Sequence, residues 1–173
     1  RLSANPEHRV ALLEAGPASH FMSRVPISFA SLIDEPSANW CYRSEPEEAT
    51  NGRPIPVPRG RLLGGSSSIN GMVYVRGQQL DFDTWAQLGN RGWSYADVLP
   101  IFKRMEDYGG GDELRGQDGP LRVRIVYDQN PLYAALLNAG SELGLPDNPD
   151  YNGAEQEGIV RTQATISNGR RQS

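Results

Sequence analysis

Residues Gly60–Gly77 read GRLLGGSSSINGMVYVRG, and the rest of the chain is best read outward from them. Five glycines, three consecutive serines and one asparagine stand between a proline-rich approach and an apolar exit. The Gly64-Gly65 pair lets backbone come close to a ligand, because no Cβ stands in the way. Ser66, Ser67, Ser68 and the amides that follow supply donors for an anionic or polar group, and Asn70 adds a bidentate amide. Met72, Val73 and Tyr74 read as the start of a buried strand or helix. The whole suits a large cofactor that is part phosphate and part flat ring. The bland alternative is a tight turn in a structural loop.

Upstream, His8–Leu13 (HRVALL) is too short for a helix and predicts a buried parallel strand. Glu14 stands at its end, followed by Ala15-Gly16-Pro17. In dinucleotide-binding βαβ units an acid at the end of the second strand bonds the adenosine ribose, with a glycine fingerprint about 20 residues earlier. That fingerprint would fall before Arg1, so half the motif is present. Taken alone, Glu14 also reads as an exposed strand-end carboxylate. Arg1–Asn5 reads as the end of a helix. Between residues 18 and 59 prolines recur, and Pro54–Pro58 (PIPVP) must be extended.

Downstream, Asp81–Leu88 predicts a short helix ended by Gly89. Ser94 caps a helix over Tyr95–Tyr108, with Val98, Ile101, Phe102 and Met105 on its inner face. Gly119–Val126 (GPLRVRIV) alternates, as a half-exposed strand does. Asn130-Pro131 opens a helix whose Leu132, Leu136, Ala139 and Leu143 face inward, and Gly144 stops it. Gly158–Ile166 predicts a strand and Asn168-Gly169 a turn.

Composition narrows the class. The 173 residues suffice for about one domain or parts of two. A formal net charge of −4 with no basic stripe argues against nucleic acid as a partner. No run approaches the length of a membrane span. The single cysteine, Cys41, forms no internal disulfide and fits a reducing compartment, so a cytoplasmic location is expected. His8, His20 and Cys41 lie in no triad or metal spacing and read as structural. Glu47-Glu48 and Asp112-Glu113 read as solvated faces, and Arg170-Arg171 as a surface pair at a strand end. No metal site is expected. The chain opens on Arg1 and stops at Ser173 in mid-pattern, as expected of a piece from the N-terminal half of a larger protein.

Four stretches in this order resemble the glucose–methanol–choline (GMC) family of FAD-dependent oxidoreductases: VALLEAG (Val10–Gly16), the loop, GPLRV (Gly119–Val123) and TQATISNGRRQS (Thr162–Ser173). NGMVYVRG (Asn70–Gly77) most resembles the bacterial choline-dehydrogenase-like branch. The resemblance implies an α/β (α+β overall) architecture: part of a Rossmann-type FAD-binding domain and part of an antiparallel-sheet substrate domain. Residues 1–79 would belong to the FAD side and 80–118 would pack by the flavin region. Residues 119–150 would belong to the substrate side, and 151–173 would return to the FAD domain.

It further implies that Glu14 holds the adenosine ribose and that Gly64, Gly65 and Ser66 pass the pyrophosphate or ring system by backbone. Asn70, Gly71, Met72 and Val73 would line the flavin. Trp40 would contact the cofactor, with burial in the core as its alternative. Some family members attach FAD through a histidine just before the motif's asparagine; Ile69 stands there, implying non-covalent FAD.

The implied reaction is oxidation of a small alcohol by hydride transfer to flavin N5, with oxygen or a quinone- or dye-type acceptor taking the electrons. The family's basic histidine near the C-terminus has no counterpart in this stretch, so no catalytic residue is assigned and the chain alone is expected to be inactive. Two other readings stand beside this one. One is a non-catalytic truncated nucleotide-binding or interaction protein. The other is an unrelated NAD-binding Rossmann protein, which the absence of a Tyr-x-x-x-Lys pattern disfavours.

Overall fold

The computed structural model describes residues 2–127 and 129–173. The chain divides into two compact units, residues 1–71 and 72–173.

The first unit is mostly irregular. Its core is small: Leu32, Ala38, Leu62 and Ile69 are buried together, with Met22 packed against them. Burying each of the larger side chains contributes about 1.5–3 kcal/mol. Leu32 comes from the single turn α1 (Phe29–Leu32). The proline-rich stretch is extended as expected, and its Pro56–Val57 (β2) pairs antiparallel with Tyr42–Arg43 (β1). Asn39 ties the base of this hairpin together. Its buried Oδ1 accepts from the Cys41 and Arg59 amides at 3.0 and 2.9 Å, and its Nδ2 donates to the Ile33 carbonyl.

The strand expected at His8–Leu13 does not form. Among the described residues no other strand pairs with it, and Leu13 is 92% exposed. A parallel strand needs neighbours on both edges to satisfy its backbone, and the described residues supply none. The expected helix end at residues 1–5 is a 3₁₀ turn at Leu2–Ala4, with Arg1 outside the described residues.

The second unit holds the longer helices. The α2 helix (Gln79–Gln87) and the α3 helix (Tyr95–Met105) pack through Phe82, whose ring lies 5.4–5.6 Å from those of Trp85 and Phe102. Ser94 caps α3 with Asp97 in a reciprocal box. The helix ends three residues before the expected Tyr108. The chain turns extended at Glu106–Asp107 (β3) to pair in parallel with Leu121–Arg122 (β4). Val98 is buried as expected, whereas Ile101 and Met105 are exposed.

The alternating run after Gly119 serves two ladders rather than one. It breaks at the fully buried Val123, and Arg124–Ile125 (β5) pairs antiparallel with Gln163–Ala164 (β6). The last strands, Ile166–Ser167 (β7) and Arg170–Arg171 (β8), form a hairpin. Its two turn residues, Asn168 and Gly169, are both left-handed, which matches the strand twist. Arg171 is buried rather than at the surface, and burial holds its guanidinium below the usual arginine range.

The α4 helix (Pro131–Glu142) is capped by Asn130, which accepts from the Leu132 amide at 3.0 Å. Its packing face is not the expected one. Leu132, Leu136 and Leu143 are exposed, and the helix rests on Gly140 instead. A Cβ on Gly140 would stand 2.2 Å from Ile159 Cδ1, so the helix approaches through the one position without a side chain. Among the described residues no helix is long and apolar enough to cross a membrane, and no cluster of side chains could hold a metal ion.

The centre of the second unit is charged. Glu106 is fully buried and receives the Arg76 guanidinium, Arg115 Nε at 2.9 Å, Arg115 Nη2 at 3.1 Å and the Gly116 amide at 2.8 Å. Arg115 also bonds Asp150 at 2.6 Å and Gln163 at 3.0 Å, and lies 3.7 Å from the Tyr108 ring centroid. Burial, the largest single influence, pushes the Glu106 carboxyl up. The Arg115 and Gly116 hydrogen bonds and the charges of Arg115 and Arg76 together outweigh it and hold the group below the usual carboxylate range.

Two outcomes follow. Glu106→Gln leaves two arginines buried with half their partners, and should cost about 3–5 kcal/mol in chemical denaturation. Because the folded-state value lies below that of the unfolded chain, near about 4.3, the carboxylate stabilises above that pH. That contribution fades as pH falls through the folded value, so wild-type stability should drop steeply below about pH 4. Denaturation midpoints measured from pH 7 down to 3 should show this drop in the wild type and a shallower one in Glu106→Gln.

Candidate functional site

The glycine-rich loop folds back on itself. A Cβ on Gly60 would overlap the Gly65 carbonyl at 2.2 Å, so these two stretches of backbone lie in contact. Gly64 and Gly65 are both left-handed, with φ of 91° and 55°, and lead into a 3₁₀ turn over Gly65–Ser68. Nothing lies within 4 Å of where a Gly65 Cβ would stand. The Gly65 amide donates to Leu62 O at 2.8 Å and the Asn70 amide to Ser66 O at 2.9 Å, which fixes the turn.

The hydroxyls of Ser67 and Ser68 donate within the loop, whereas that of Ser66 accepts. Ser67 Oγ donates to Gly64 O at 2.6 Å, Ser68 Oγ donates to Leu63 O at 3.0 Å, and Ser66 Oγ accepts from the Gly60 amide at 3.2 Å. They brace the loop from within, because a turn this tight leaves carbonyls that backbone amides cannot reach.

Two other expected site residues are brought beside this loop. Glu14 Oε1 accepts from the Gly16 amide at 2.9 Å, closing a short turn. A Cβ on Gly16 would collide with Arg61 O, so that turn lies directly on the loop's first residues, and the Leu63 amide donates to Pro17 O at 3.1 Å. Trp40, which also precedes the loop in sequence, reaches it through backbone. Its amide donates to Arg59 O at 2.9 Å, and Arg61 N donates to Ala38 O at 2.8 Å. The indole is not in the core, being 43% exposed. It stacks nearly parallel on Tyr42 at 5.8 Å, with the Arg61 guanidinium 5.5 Å from its centroid. Arg61 escaped the sequence reading. Its place inside the glycine motif was the available signal.

Ile69 points into the small core and Asn70 and Gly71 are exposed. Met72 and Val73 belong to the second unit, on a strand-like segment that runs to Arg76. Met72 is buried and left-handed, with φ of 63°, an uncommon conformation for a residue with a side chain. Val73 is exposed, so the expected buried run holds at Met72 and fails at its neighbour. Val73 and Val75 line, with Gln78, Tyr151, Gln156 and Val160, an open cleft of about 450 Å³. Burial, and then the Glu106 charge, push the Tyr74 hydroxyl up.

Of the histidines and the cysteine, His20 has a structural role. His20 Nδ1 accepts from the Met22 amide at 3.3 Å and caps a 3₁₀ turn. His8 and Cys41 are exposed.

A loop built this way occurs in known proteins. Residues 17–173 match the GMC oxidoreductase family. Over its full length the chain is 49% identical to the oxygen-dependent choline dehydrogenase of Rhizobium etli (strain CIAT 652), of which it covers 32%. It is 48% identical to the enzyme of the same name from Brucella suis biovar 1 (strain 1330), again covering 32%. The chain therefore spans about a third of the length of the curated relatives it matches.

Among solved structures, pyridoxine 4-oxidase from Mesorbium loti superposes with a TM-score of 0.91 at 38% identity, over 98% of this chain and 34% of that one. Formate oxidase of Aspergillus oryzae RIB40, in a structure concerned with FAD modification, gives 0.87 at 26% identity, over 99% and 32%. By the family match over residues 17–173 and the likeness to these relatives along the whole chain, this chain belongs to the GMC oxidoreductase family, as an α/β part of its FAD-dependent enzymes.

Proposed function

We propose that this chain is the FAD-cradling part of an enzyme that oxidises a small alcohol to an aldehyde or ketone. The observation that carries the reading is the Gly64-Gly65 turn. Two successive left-handed residues, with open space where a Gly65 side chain would stand, fit a pyrophosphate passing close to backbone. The ring-bearing half of such a group suits the exposed side chain of Val73, which lines the open cleft of the second unit.

In this reading Glu14 holds the adenosine ribose, while Gly64, Gly65 and Ser66 meet the pyrophosphate through backbone. Asn70, Gly71, Met72 and Val73 line the flavin, and Trp40 covers part of the cofactor. Bound FAD supplies the hydride acceptor, and this chain holds it in place. Ile69 offers no nucleophile and is packed with Leu32, Ala38 and Leu62, so the flavin is held without a covalent bond. Residues 1–79 and 151–173 belong to the FAD side in this proposal. Residues 119–150 belong to the substrate side, and 80–118 pack alongside the flavin region. The names of the choline dehydrogenase relatives support an alcohol substrate and dioxygen among the electron acceptors.

The test uses the full-length protein that contains this chain. A Cβ at Gly65 meets no atom within 4 Å beyond its chain neighbours, so Gly65→Val should cost the fold mainly the strain of a β-branched residue at positive φ, on the order of 1–3 kcal/mol. It should nevertheless purify with less than about a tenth of the wild-type flavin, as close approach to the cofactor requires. A folded variant that stays yellow with full flavin content sinks the loop assignment. Acid precipitation of the wild type should release all flavin into the supernatant. Flavin retained in the pellet would instead mean a covalent link elsewhere. An alcohol panel assayed with dioxygen and with a dye acceptor then identifies substrate and oxidant.

A further inference from the structure

The left-handed Met72 is not explained by its own sequence. A methionine there is strained, and such strain persists only where the surroundings over-determine the backbone. Those surroundings can be named. The Thr165 amide donates to Met72 O at 2.8 Å, and Thr165 Oγ1 donates to the same oxygen at 3.3 Å. The Tyr74 amide donates to Gln163 O at 2.9 Å, and Val73 bridges Ala164.

Beyond Tyr74 no strand among the described residues continues the ladder, and a side chain replaces it. Asn152, which is 1% exposed, donates from Nδ2 to Tyr74 O at 3.2 Å and accepts from the Arg76 amide at 2.7 Å. Its amide therefore fills both roles of a strand peptide. The same Nδ2 reaches Gln163 Oε1 at 2.9 Å, tying this substitute strand to β6. The Tyr151 hydroxyl is wedged into the gap. It accepts from the Gln163 amide at 2.9 Å and donates to Tyr74 O at 2.9 Å.

We propose that Thr165 and Asn152 are positioning residues that splint Met72–Arg76, hold Met72 in its strained conformation, and thereby set the peptide groups that face the flavin. This rests on the flavin-cradling reading above. Neither residue touches the cofactor in this scheme. They act through the backbone of Met72 and Tyr74. With the splint loosened, Met72 relaxes out of the left-handed region and the Met72–Val73 peptide turns.

The test uses the full-length, FAD-loaded protein and three variants: Thr165→Val, which loses the hydroxyl donor, Thr165→Ser, which keeps it, and Asn152→Asp, which replaces the donor amide by a carboxylate. Thr165→Val and Asn152→Asp should change the visible circular dichroism of the bound flavin and weaken FAD binding about fivefold or more, as loss of one buried hydrogen bond allows. Far-UV spectra should stay as in wild type, and Thr165→Ser should restore both flavin readouts. Wild-type flavin dichroism and FAD affinity in both variants would overturn the positioning role while leaving the cofactor reading intact. A wild-type protein that carries no FAD would remove that reading, and the proposal with it. Failure of both Thr165→Val and Asn152→Asp to fold would make the pair merely structural and also overturn the proposal.

Discussion

One buried carboxylate organises the larger unit. Glu106 reaches an arginine from the exit of the glycine-rich loop, Arg76, and a second from the turn after α3, Arg115. Without those two cations a fully desolvated carboxylate would be prohibitive, and without Glu106 the arginines would be so in turn. The three groups are therefore mutually obligatory. Arg115 passes the constraint on to Asp150 and Gln163, and Asn152 carries it to the backbone of Tyr74 and Arg76. A chain of polar contacts thus runs from the end of α3 to the segment at the exit of the glycine-rich stretch. Hydrogen-bonded networks of this kind fix an arrangement more sharply than apolar contact does, because each bond has a direction.

The smaller unit is ordered by other means. Its buried apolar cluster is slight, and much of its definition comes from backbone pinned by single side chains. Asn39 holds the hairpin base, Glu14 closes the turn that lies on Arg61, and three serines brace the loop. Most of these pins are short-range in sequence, while Asn39 reaches the Arg59 amide across 20 residues.

This division explains what the sequence made legible. Local chemistry was readable: the caps at Ser94 and Asn130, the stops at Gly89 and Gly144, and the Asn168-Gly169 turn follow from two to four adjacent residues. The glycine motif was readable because positive φ and close approach select glycine. What escaped was long-range. Glu106 and Arg115 drew no reading from the sequence, since nothing in their neighbours announces partners 30 or 35 residues away. The face of α4 was misread because an apolar stripe pointed one way while Gly140, with no hydropathy of its own, made the contact. The HRVALL run signalled burial that the described residues do not provide. The two inward-turned hydroxyls of Ser67 and Ser68 follow from carbonyls that only the folded turn brings within reach.

The pairing of Met72–Tyr74 with Gln163–Thr165 joins the two ends of its unit across 93 residues. Contacts of such separation pay their loop-closure entropy before any reward arrives, and they slow folding. During synthesis, at about 5–20 residues per second, the first unit can close on local contacts as soon as it is made. The second cannot form this ladder until Thr165 has been added. For those several seconds the Met72–Arg76 segment is an unpaired stretch beside exposed valines, and that interval is where chaperones and misassociation compete for the nascent chain.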